Sequence, residues 1–356
     1  MTEPSTPVSL ERLRAFIAAA LERLGLPAAD AFTVAALMAE ADLQGSDGHG
    51  VMRLPQYAQR IRAGGVNPRP AIRVVQERAG MALIHGDNGM GHLVMQRAAR
   101  LAIEKARVAG VAWVGSQWSN HAGPASLYAR MPLAHDMIGL YFAVGNANHL
   151  PPWGGLDMLL STNPIAAAVP AGAEAPVVLD MATTVAAYGK VKAKAQRGET
   201  MPEGWMIDRE GRALTDPRRA DEGFLLPIGG YKGYGLALLV GLIAGTLNGA
   251  AMGKDVVDFN HDDSSATNTG QAIVAIDIAA FGDVEAFKAR VDQLVRDLRG
   301  SRRMPGVERI WLPGEQSQAK RLAYARDGIP IAAGLIHKLH QLAAELGIAE
   351  LRKFSA

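Results

Sequence analysis

The 356-residue chain contains no cysteine. Disulfides, thiolate zinc centres, iron–sulfur clusters and a cysteine nucleophile are thereby excluded. It has no excess of either charge, since 37 Lys+Arg against 35 Asp+Glu leave a net +2. Neither nucleic acid nor an anionic membrane is called for as partner. The two common phosphate loops are missing. No G-x-G-x-x-G follows a strand, the nearest string, Gly86-Asp-Asn-Gly-Met-Gly91, having the wrong spacing, and no G-x-x-x-x-G-K-[ST] occurs. H-E-x-x-H and G-x-S-x-G are absent too. The N-terminus has no basic stretch leading into an apolar core, so no secretory signal is read and a cytoplasmic location is expected. The 21 residues between Lys232 and Lys254 carry no charge, but they include Asn248 and six glycines. They are read as a buried helix over 234–251 rather than a membrane span.

What is present suffices for a large core. Hydrophobic residues make up 49 % of the chain and charged residues 20 %, and the length favours two domains. Apolar residues at helical spacing predict helices over 10–24 and 30–43, with Ser9 as a cap and Gly25 as a stop. A short helical stretch over 51–62 follows the turn-rich Gly45-Ser-Asp-Gly-His-Gly50. From residue 72 the pattern changes. Strands are predicted over 72–75, 81–85, 111–115, 138–144, 165–169, 177–179, 271–281 and 307–312, with helices over 93–109, 185–197 and 284–298. Two more helices, 317–326 and 333–346, close the chain. The expected architecture is mixed α/β. A helical unit of residues 1–71 with 316–356 flanks an inserted α/β unit of 72–315.

Several polar strings can carry chemistry. His49 stands between glycines, with Arg53 four positions on. If the stretch is helical, both face one way. An imidazole moves protons near neutral pH, and a guanidinium holds a carboxylate through two parallel hydrogen bonds. The pair suits a small oxo or hydroxy acid, or else it is a surface histidine beside a solvated arginine. Ser119-Asn120-His121 follows a strand and reads as polar groups aimed into a cleft, as a helix cap, or both. Asp180-Met-Ala-Thr-Thr184 leads into a helix, which Thr183 or Thr184 could cap. Gly229-Gly-Tyr-Lys232-Gly-Tyr-Gly235 places a lysine in a glycine-rich turn. His261-Asp-Asp263 lies in a polar loop and is read as solvated, so no metal is assigned.

Taken together, the strings resemble the malate/L-lactate dehydrogenase family that lacks a Rossmann domain. That family also holds ureidoglycolate dehydrogenase, 2,3-diketo-L-gulonate reductase, sulfolactate dehydrogenase and the cyclic imino acid reductases. The matching strings include Gly48-His-Gly-Val-Met-Arg53, Ser119-Asn-His-Ala-Gly123, Pro152-Trp-Gly-Gly155, Thr162-Asn-Pro164, Leu179-Asp-Met-Ala-Thr-Thr184, Leu226-Pro-Ile-Gly-Gly-Tyr-Lys-Gly-Tyr-Gly235 and Leu312-Pro-Gly-Glu315. They occur in the family's order over roughly 10–330. The resemblance implies NAD or NADP bound in a non-Rossmann fold, a homodimer, and interconversion of a 2-hydroxy acid with a 2-oxo acid. A cyclic imino acid as substrate, or a catalytically silent cofactor-binding or metabolite-binding member, are the alternatives.

By the same resemblance His49 is the acid/base and His121 a second catalytic histidine. Arg53, Asn120 and Gly48 touch the substrate. Asn146, Thr162, Asp180, Met181, Ala182, Thr183, Thr184, Lys232, Gly233, Pro313, Gly314 and Glu315 touch the cofactor. Two positions depart from the pattern: Gly48 replaces a usual serine and Ala122 a usual aromatic residue. If Ala122 faces the cleft, its small side chain enlarges the substrate pocket.

Overall fold

The computed structural model describes residues 5–354; residues 1–4 and 355–356 of the expected helical unit lie outside the described residues. In chain order the elements are β1 (Ser5–Val8), α1 (Leu10–Arg23), α2 (Ala28–Leu43), α3 (Leu54–Ala63), β2 (Arg73–Arg78), β3 (Met81–His85), α4 (Gly91–Ala109), β4 (Val111–Ser119), α5 (Ser126–Ala129), β5 (Met137–Ala143), β6 (Asn148–Leu150), β7 (Leu160–Ser161), β8 (Ile165–Val169) and β9 (Val177–Met181). There follow α6 (Tyr188–Arg197), β10 (Met206–Asp208), β11 (Ala213–Leu214), β12 (Gly223–Leu225), α7 (Tyr231–Ala244), β13 (Thr269–Asp277), α8 (Val284–Gly300), α9 (Glu315–Asp327), β14 (Ile329–Ala332) and α10 (Ala333–Leu346).

The fold is mixed α/β around a seven-stranded sheet of order β2-β3-β4-β13-β5-β8-β9. Only β3 and β4 run parallel, joined by the α4 crossover; the other pairs are antiparallel. This is not a doubly wound nucleotide fold, which is why no G-x-G-x-x-G turn exists. β13 lies in the middle and is buried from Thr269 to Ala275. Helix α4 packs against the sheet through Ala98, Ala99, Ala102 and Ala106, whose small side chains allow close approach.

A second core gathers both ends of the chain. Ser9 accepts a hydrogen bond from the Arg12 N–H and starts α1. Leu13, Phe16, Ile17 and Leu21 then pack with α2, α3, α10 and β14. β1 pairs antiparallel with β14, Ser5 opposite Ala332 and Val8 opposite Ile329. This ladder had no counterpart in the hydrophobic periodicity.

Several expected elements need correction, among them the strand expected over 271–281, which ends at Asp277 with a short 3-10 turn after it. The helix expected over 234–251 runs from Tyr231 to Ala244 and stops at Gly245; a short 3-10 turn, Thr246–Asn248, follows it. Gly249 is left-handed at φ 68° and cannot continue a helix. The expected strand 307–312 has no partner strand. Its residues form no regular element, and just beyond them the Val178 N–H donates to the Pro313 carbonyl. The helix expected from 185 begins at Tyr188, and neither Thr183 nor Thr184 caps it. Among the described residues no helix is long and apolar enough to cross a membrane.

The glycines near the end of α7 mark a close approach. A Cβ on Gly245 would meet the Gly241 carbonyl oxygen at 2.7 Å and Val144 Cγ2 at 2.9 Å. Gly235, on the same helix, has nothing within 4 Å of its Cβ position. Overpacking at such a site typically costs about 1–3 kcal/mol, whereas Gly→Ala in an open helix position gains up to about 1 kcal/mol. Gly245→Leu should therefore lower Tm by several degrees while Gly235→Ala leaves it equal or higher. Thermal melts of the two variants beside the parent check this ordering.

Candidate active site

The turn between α2 and α3 is shaped by one buried carboxylate. Asp42, 3 % exposed, accepts the Val51 N–H at 2.7 Å through Oδ2. A Cβ on Gly50 would lie 2.0 Å from Asp42 Oδ1, so only glycine fits there. Two short 3-10 turns, Asp47–His49 and Val51–Arg53, replace the first part of the helix expected over 51–62. They still bring His49 and Arg53 to one site. Arg53 Nε donates to the Gly48 carbonyl at 2.9 Å, and Nη1 donates to Gln56 Oε1 at 2.8 Å. Nη1 also reaches Asn260 Oδ1 at 3.5 Å, and the guanidinium lies 5.7 Å from the centre of the Phe259 ring.

His49 and His121, 72 residues apart in sequence, meet edge to edge with ring centres 5.3 Å apart and planes 7° from parallel. His49 Nδ1 stands 3.3 Å from His121 Nε2. His121 Nδ1 lies 2.6 Å from the Tyr57 hydroxyl and 3.4 Å from the Gly123 N–H. A backbone N–H can only donate, so His121 Nδ1 is the acceptor and its proton sits on Nε2. That proton is then donated to His49 Nδ1, and His49 carries its own proton on Nε2, which has no partner within the described residues. Burial holds both rings neutral. It lowers the His49 pKa to about 4, with Arg53 adding to the shift. It sets His121 well below the usual imidazole range, with His49, Arg53 and His92 adding to the shift. Burial pushes the Tyr57 hydroxyl the other way, upward, so it stays a donor.

Three groups around this chain carried no signal in the sequence reading. Tyr57 sits on α3, where its spacing looks like any core aromatic. Phe259 stacks on His121 at 5.2 Å and 19°. His92 is fully buried, meets Tyr57 edge-on at 5.8 Å, and has no partner for either ring nitrogen. Burial, with His49 second, lowers its pKa to about 3. The turn that carries Phe259 and Asn260 is clamped by Arg60, which donates to the carbonyls of Asp262 and Ser265. In the loop read as solvated, His261 bonds Asp258 at 3.0 Å and Asp262 accepts from the Ser264 and Ser265 N–H groups.

The remaining expected substrate residues divide. Gly48 borders open space, with nothing within 4 Å of its Cβ position. Asn120 is 2 % exposed and its amide is used inside the protein. Nδ2 donates to Asn88 Oδ1 at 2.9 Å and to the Gly89 carbonyl at 3.2 Å, while Oδ1 accepts from Thr267. It braces the His121 segment and offers the substrate no free polar atom. It caps no helix, since α5 starts at Ser126. Ala122 is 3 % exposed and packs in the sheet core, its carbonyl accepting from Tyr128. The expected widening of the pocket at Ala122 is therefore corrected: the residue is enclosed by core side chains.

Most of the residues expected to touch a cofactor form one connected ridge, with Asn146 apart from it. Asp180 and Met181 end β9, and Asp180 Oδ2 accepts the Ser126 N–H at 2.8 Å. Beyond Ala182, the Thr183 N–H and hydroxyl both donate to the Thr162 carbonyl at 2.9 Å. Thr184 bridges to Pro227, and the Ile228 N–H donates to the Thr183 carbonyl at 3.0 Å. This ties in the glycine turn before α7, with exposed Lys232 in its first turn. Gly233 is required where it stands, 2.0 Å separating its Cβ position from the Ile228 carbonyl oxygen. Pro313 and Gly314 lie against Val178 on β9. The Glu315 carboxylate is occupied by Arg299 at 2.6 Å and the Leu312 N–H at 3.1 Å. Asn146 donates to Thr269 Oγ1 at 2.5 Å, and its carbonyl accepts the Phe259 N–H at 2.9 Å.

The buried neutral histidines set a pH dependence. Unfolded, each titrates near pH 6.5, so below that the unfolded chain binds more protons and stability falls as pH drops toward 4. Buried Asp42, whose carboxyl is raised, runs the opposite way. His92 isolates the effect, because it makes no hydrogen bond that its loss would break. The stability of His92→Leu relative to the parent should rise by on the order of 1.4 kcal/mol per pH unit between pH 6 and 4. Paired denaturation curves at pH 7, 5.5 and 4.5 measure it; a constant difference would show His92 titrating freely in the fold.

Comparison with known proteins agrees over nearly the whole chain. The malate/L-lactate dehydrogenase family profile matches residues 8–340. The malate dehydrogenase of Pyrococcus horikoshii is 38 % identical over 353 residues, covering 97 % of this chain and 96 % of the relative. The NAD(+) ureidoglycolate dehydrogenase of Escherichia coli O157:H7 is 33 % identical, covering 91 % and 92 %. The NADP(+) (2R)-3-sulfolactate dehydrogenase of Chromohalobacter salexigens is 33 % identical, covering 90 % and 96 %. Among solved structures, the sulfolactate dehydrogenase of Methanocaldococcus jannaschii superposes with a TM-score of 0.91 at 34 % identity, covering 98 % and 99 %. The delta1-piperideine-2-carboxylate reductase of Pseudomonas syringae gives 0.84 at 29 %, covering 95 % and 100 %. With a mixed sheet that is not doubly wound, a histidine pair beside an arginine, and these likenesses across its length, the chain belongs to the malate/L-lactate dehydrogenase family of oxidoreductases.

Proposed function

We propose that the chain interconverts a 2-hydroxy acid and a 2-oxo acid with NAD or NADP, His49 exchanging the hydroxyl proton and Arg53 holding the carboxylate. The observation that carries this reading is the run of contacts from Tyr57 through His121 to His49, with Arg53 alongside. The ridge from Thr162 through Lys232 fits a dinucleotide. The N-terminus of 14-residue α7 offers N–H groups and Lys232 an ammonium, while Gly229 opens onto free space. A bound nicotinamide nucleotide supplies the hydride acceptor or donor.

The protein's part is binding and proton transfer. A carboxylate on Arg53 neutralises the charge that helps depress His49, and so raises the tendency of His49 to hold a second proton. As negative charge develops on the substrate oxygen, His49 Nε2–H donates to it. When His49 carries its second proton, the proton passed to the substrate oxygen leaves a neutral imidazole, while Tyr57 keeps its own proton and holds the His121 ring in place. In the oxidative direction His49 accepts the hydroxyl proton.

A second reading, reduction of a cyclic imino acid, is favoured by the neutrality of His49 and by the likeness to the piperideine-carboxylate reductase. A protonated imine becomes an amine on receiving hydride and needs no strong acid beside it. The domain division, 1–71 with 316–356 and 72–315, is supported by two cores that keep mostly to these residues, although Met90, Leu93 and Phe259 join the first and Ala41 the second, and it belongs to the same proposal. So does a homodimer, supported by the exposed Tyr231, Leu239, Leu242 and Leu247 on and just beyond α7. Sedimentation at twice 37.7 kDa is the expected outcome; a monomer would remove it.

His49→Ala should lower kcat by about 10²–10⁴-fold with nucleotide affinity unchanged. Arg53→Lys should raise KM for the acid about tenfold or more, because an ammonium does not replace a two-pronged contact. The assay is a matrix of 2-oxo acids and cyclic imino acids against NADH and NADPH. Full turnover of His49→Ala with a dead His121→Ala would exchange their roles.

A further inference from the structure

The strand that leads to His121 ends in a strained bulge. Ser116 pairs with Gln271 and Ser119 with Thr269, so Gln117 and Trp118 of β4 stand opposite the single Gly270 of β13. Trp118 takes φ 52°, a left-handed backbone that bulky residues rarely adopt. Its indole is 41 % exposed and lies beside His85, ring centres 6.0 Å apart. Core packing of the indole therefore does not account for the strain. The backbone of Trp118 is held from both sides instead. Its N–H donates to Asn268 Oδ1 at 2.6 Å, and its carbonyl accepts the Asn88 N–H at 2.8 Å. Asn268, at φ 43°, and Asn88, at φ 55°, are left-handed too, a conformation asparagine tolerates. The Asn268 carbonyl accepts the Ala251 N–H at 2.9 Å, which anchors it. Beyond the bulge, the Ser119 carbonyl accepts from Thr267 Oγ1 at 2.9 Å and the Asn120 carbonyl from Gln271 Nε2 at 3.0 Å. The start of α4 presses on the same segment, since a Cβ on Gly91 would lie 2.0 Å from the Asn120 carbonyl oxygen and 2.7 Å from that of His121.

We propose that Asn268 is a positioning residue for the reaction: its side-chain carbonyl holds Trp118 left-handed where β13 supplies no partner, and so aims His121 at His49 and Tyr57. The proposal rests on the oxidoreductase reading above, in which His49 exchanges the proton beside His121. A bulge bends its strand and re-aims the side chains that follow. Strain of this kind persists only where the surroundings enforce it, and it gathers at functional sites. His121 stands three residues beyond Trp118, and its contacts of 2.6 Å with Tyr57 and 3.3 Å with His49 leave little room for a turn of the chain. Asn268 itself bonds Trp118, Gly249 and Ala251, none of which is expected at substrate or cofactor. Its influence on the reaction therefore passes through the backbone of the His121 segment.

Asn268→Gly tests this, because glycine keeps the left-handed backbone and removes only the acceptor. With the best acid and nucleotide of the matrix above, well below Tm, it should lower kcat by about tenfold or more and leave KM for the nucleotide within about twofold. Asn268→Asp restores the acceptor and should recover most of the loss. A lower Tm with parental kcat would make Asn268 merely structural and overturn the positioning role. Nitrogen NMR of histidine-labelled protein, with His121 assigned from its loss in His121→Gln, gives a readout apart from turnover. The parent should show His121 protonated on Nε2 alone, Asn268→Gly a mixture of tautomers, and Asn268→Asp the parental form. An unchanged His121 signal in Asn268→Gly overturns the proposal. Should Asn268→Gly fail to fold, Trp118→Val takes its place, since a β-branched residue is driven out of the left-handed region. It should lower kcat and mix the tautomers likewise, and parental values would overturn the proposal. No turnover by the parent of any acid with either nucleotide overturns the underlying reading, and the role in the reaction with it. Parental kcat in Asn268→Gly overturns the positioning role alone.

Discussion

The hydrogen bond between Tyr57 and His121 is the contact on which the site depends. Tyr57 belongs to the helical core that gathers both chain ends. His121 follows β4 of the central sheet. Their 2.6 Å contact therefore joins two separately built layers and sets a proton's position at the same time. With the hydroxyl and the Gly123 N–H both directed at His121 Nδ1, the tautomers of both histidines follow. A shift of either layer would disturb proton placement before it disturbed the sheet.

Packing around this bond leaves little freedom. Phe259 touches His121 on one side and lies under the guanidiniums of Arg53 and Arg60 on another. Arg60 is fully buried and bonds carbonyls of the loop bearing Phe259 and Asn260. A residue 202 positions away from Asp262 in sequence thus places the loop that reaches Arg53. Asp42 does the same for the His49 turn from the other side. Both anchors are buried ionisable groups spent on backbone geometry, which carries a desolvation cost that satisfied hydrogen bonds offset. The unpaired His92, which meets Tyr57 edge-on, stands out against this economy.

Much of this was legible in the residues. The helical periodicity of Leu13, Phe16, Ile17 and Leu21 and the short apolar strands implied a mixed α/β chain, and the resemblance of the motif strings implied a nucleotide site outside the common phosphate loops. The motif strings pointed to His49, His121 and Arg53, which the fold does bring together. Asn120, expected at the substrate, uses its amide to brace the His121 segment, and Ala122, which would widen the pocket only if it faced the cleft, lies in the core. A motif records that a residue is needed, without saying whether it meets the ligand or braces the segment that does.

Local pattern determined the strands of the central sheet, most of the longer helices and the residue types at the site, because periodicity and turn chemistry act over a few neighbours. Tertiary structure alone decided the rest. Pairing of β1 with β14 spans the whole chain and depends on both ends packing together. Where α7 stops was decided by the close approach of Gly245 to Val144 and to Gly241. The roles of Tyr57, Phe259 and Asn260 arise from contacts 64 to 207 residues apart, which no short spacing encodes. The protonation of His49 was decided last of all, since it follows from burial and from the charge of Arg53, and both exist only once the two layers have closed over it.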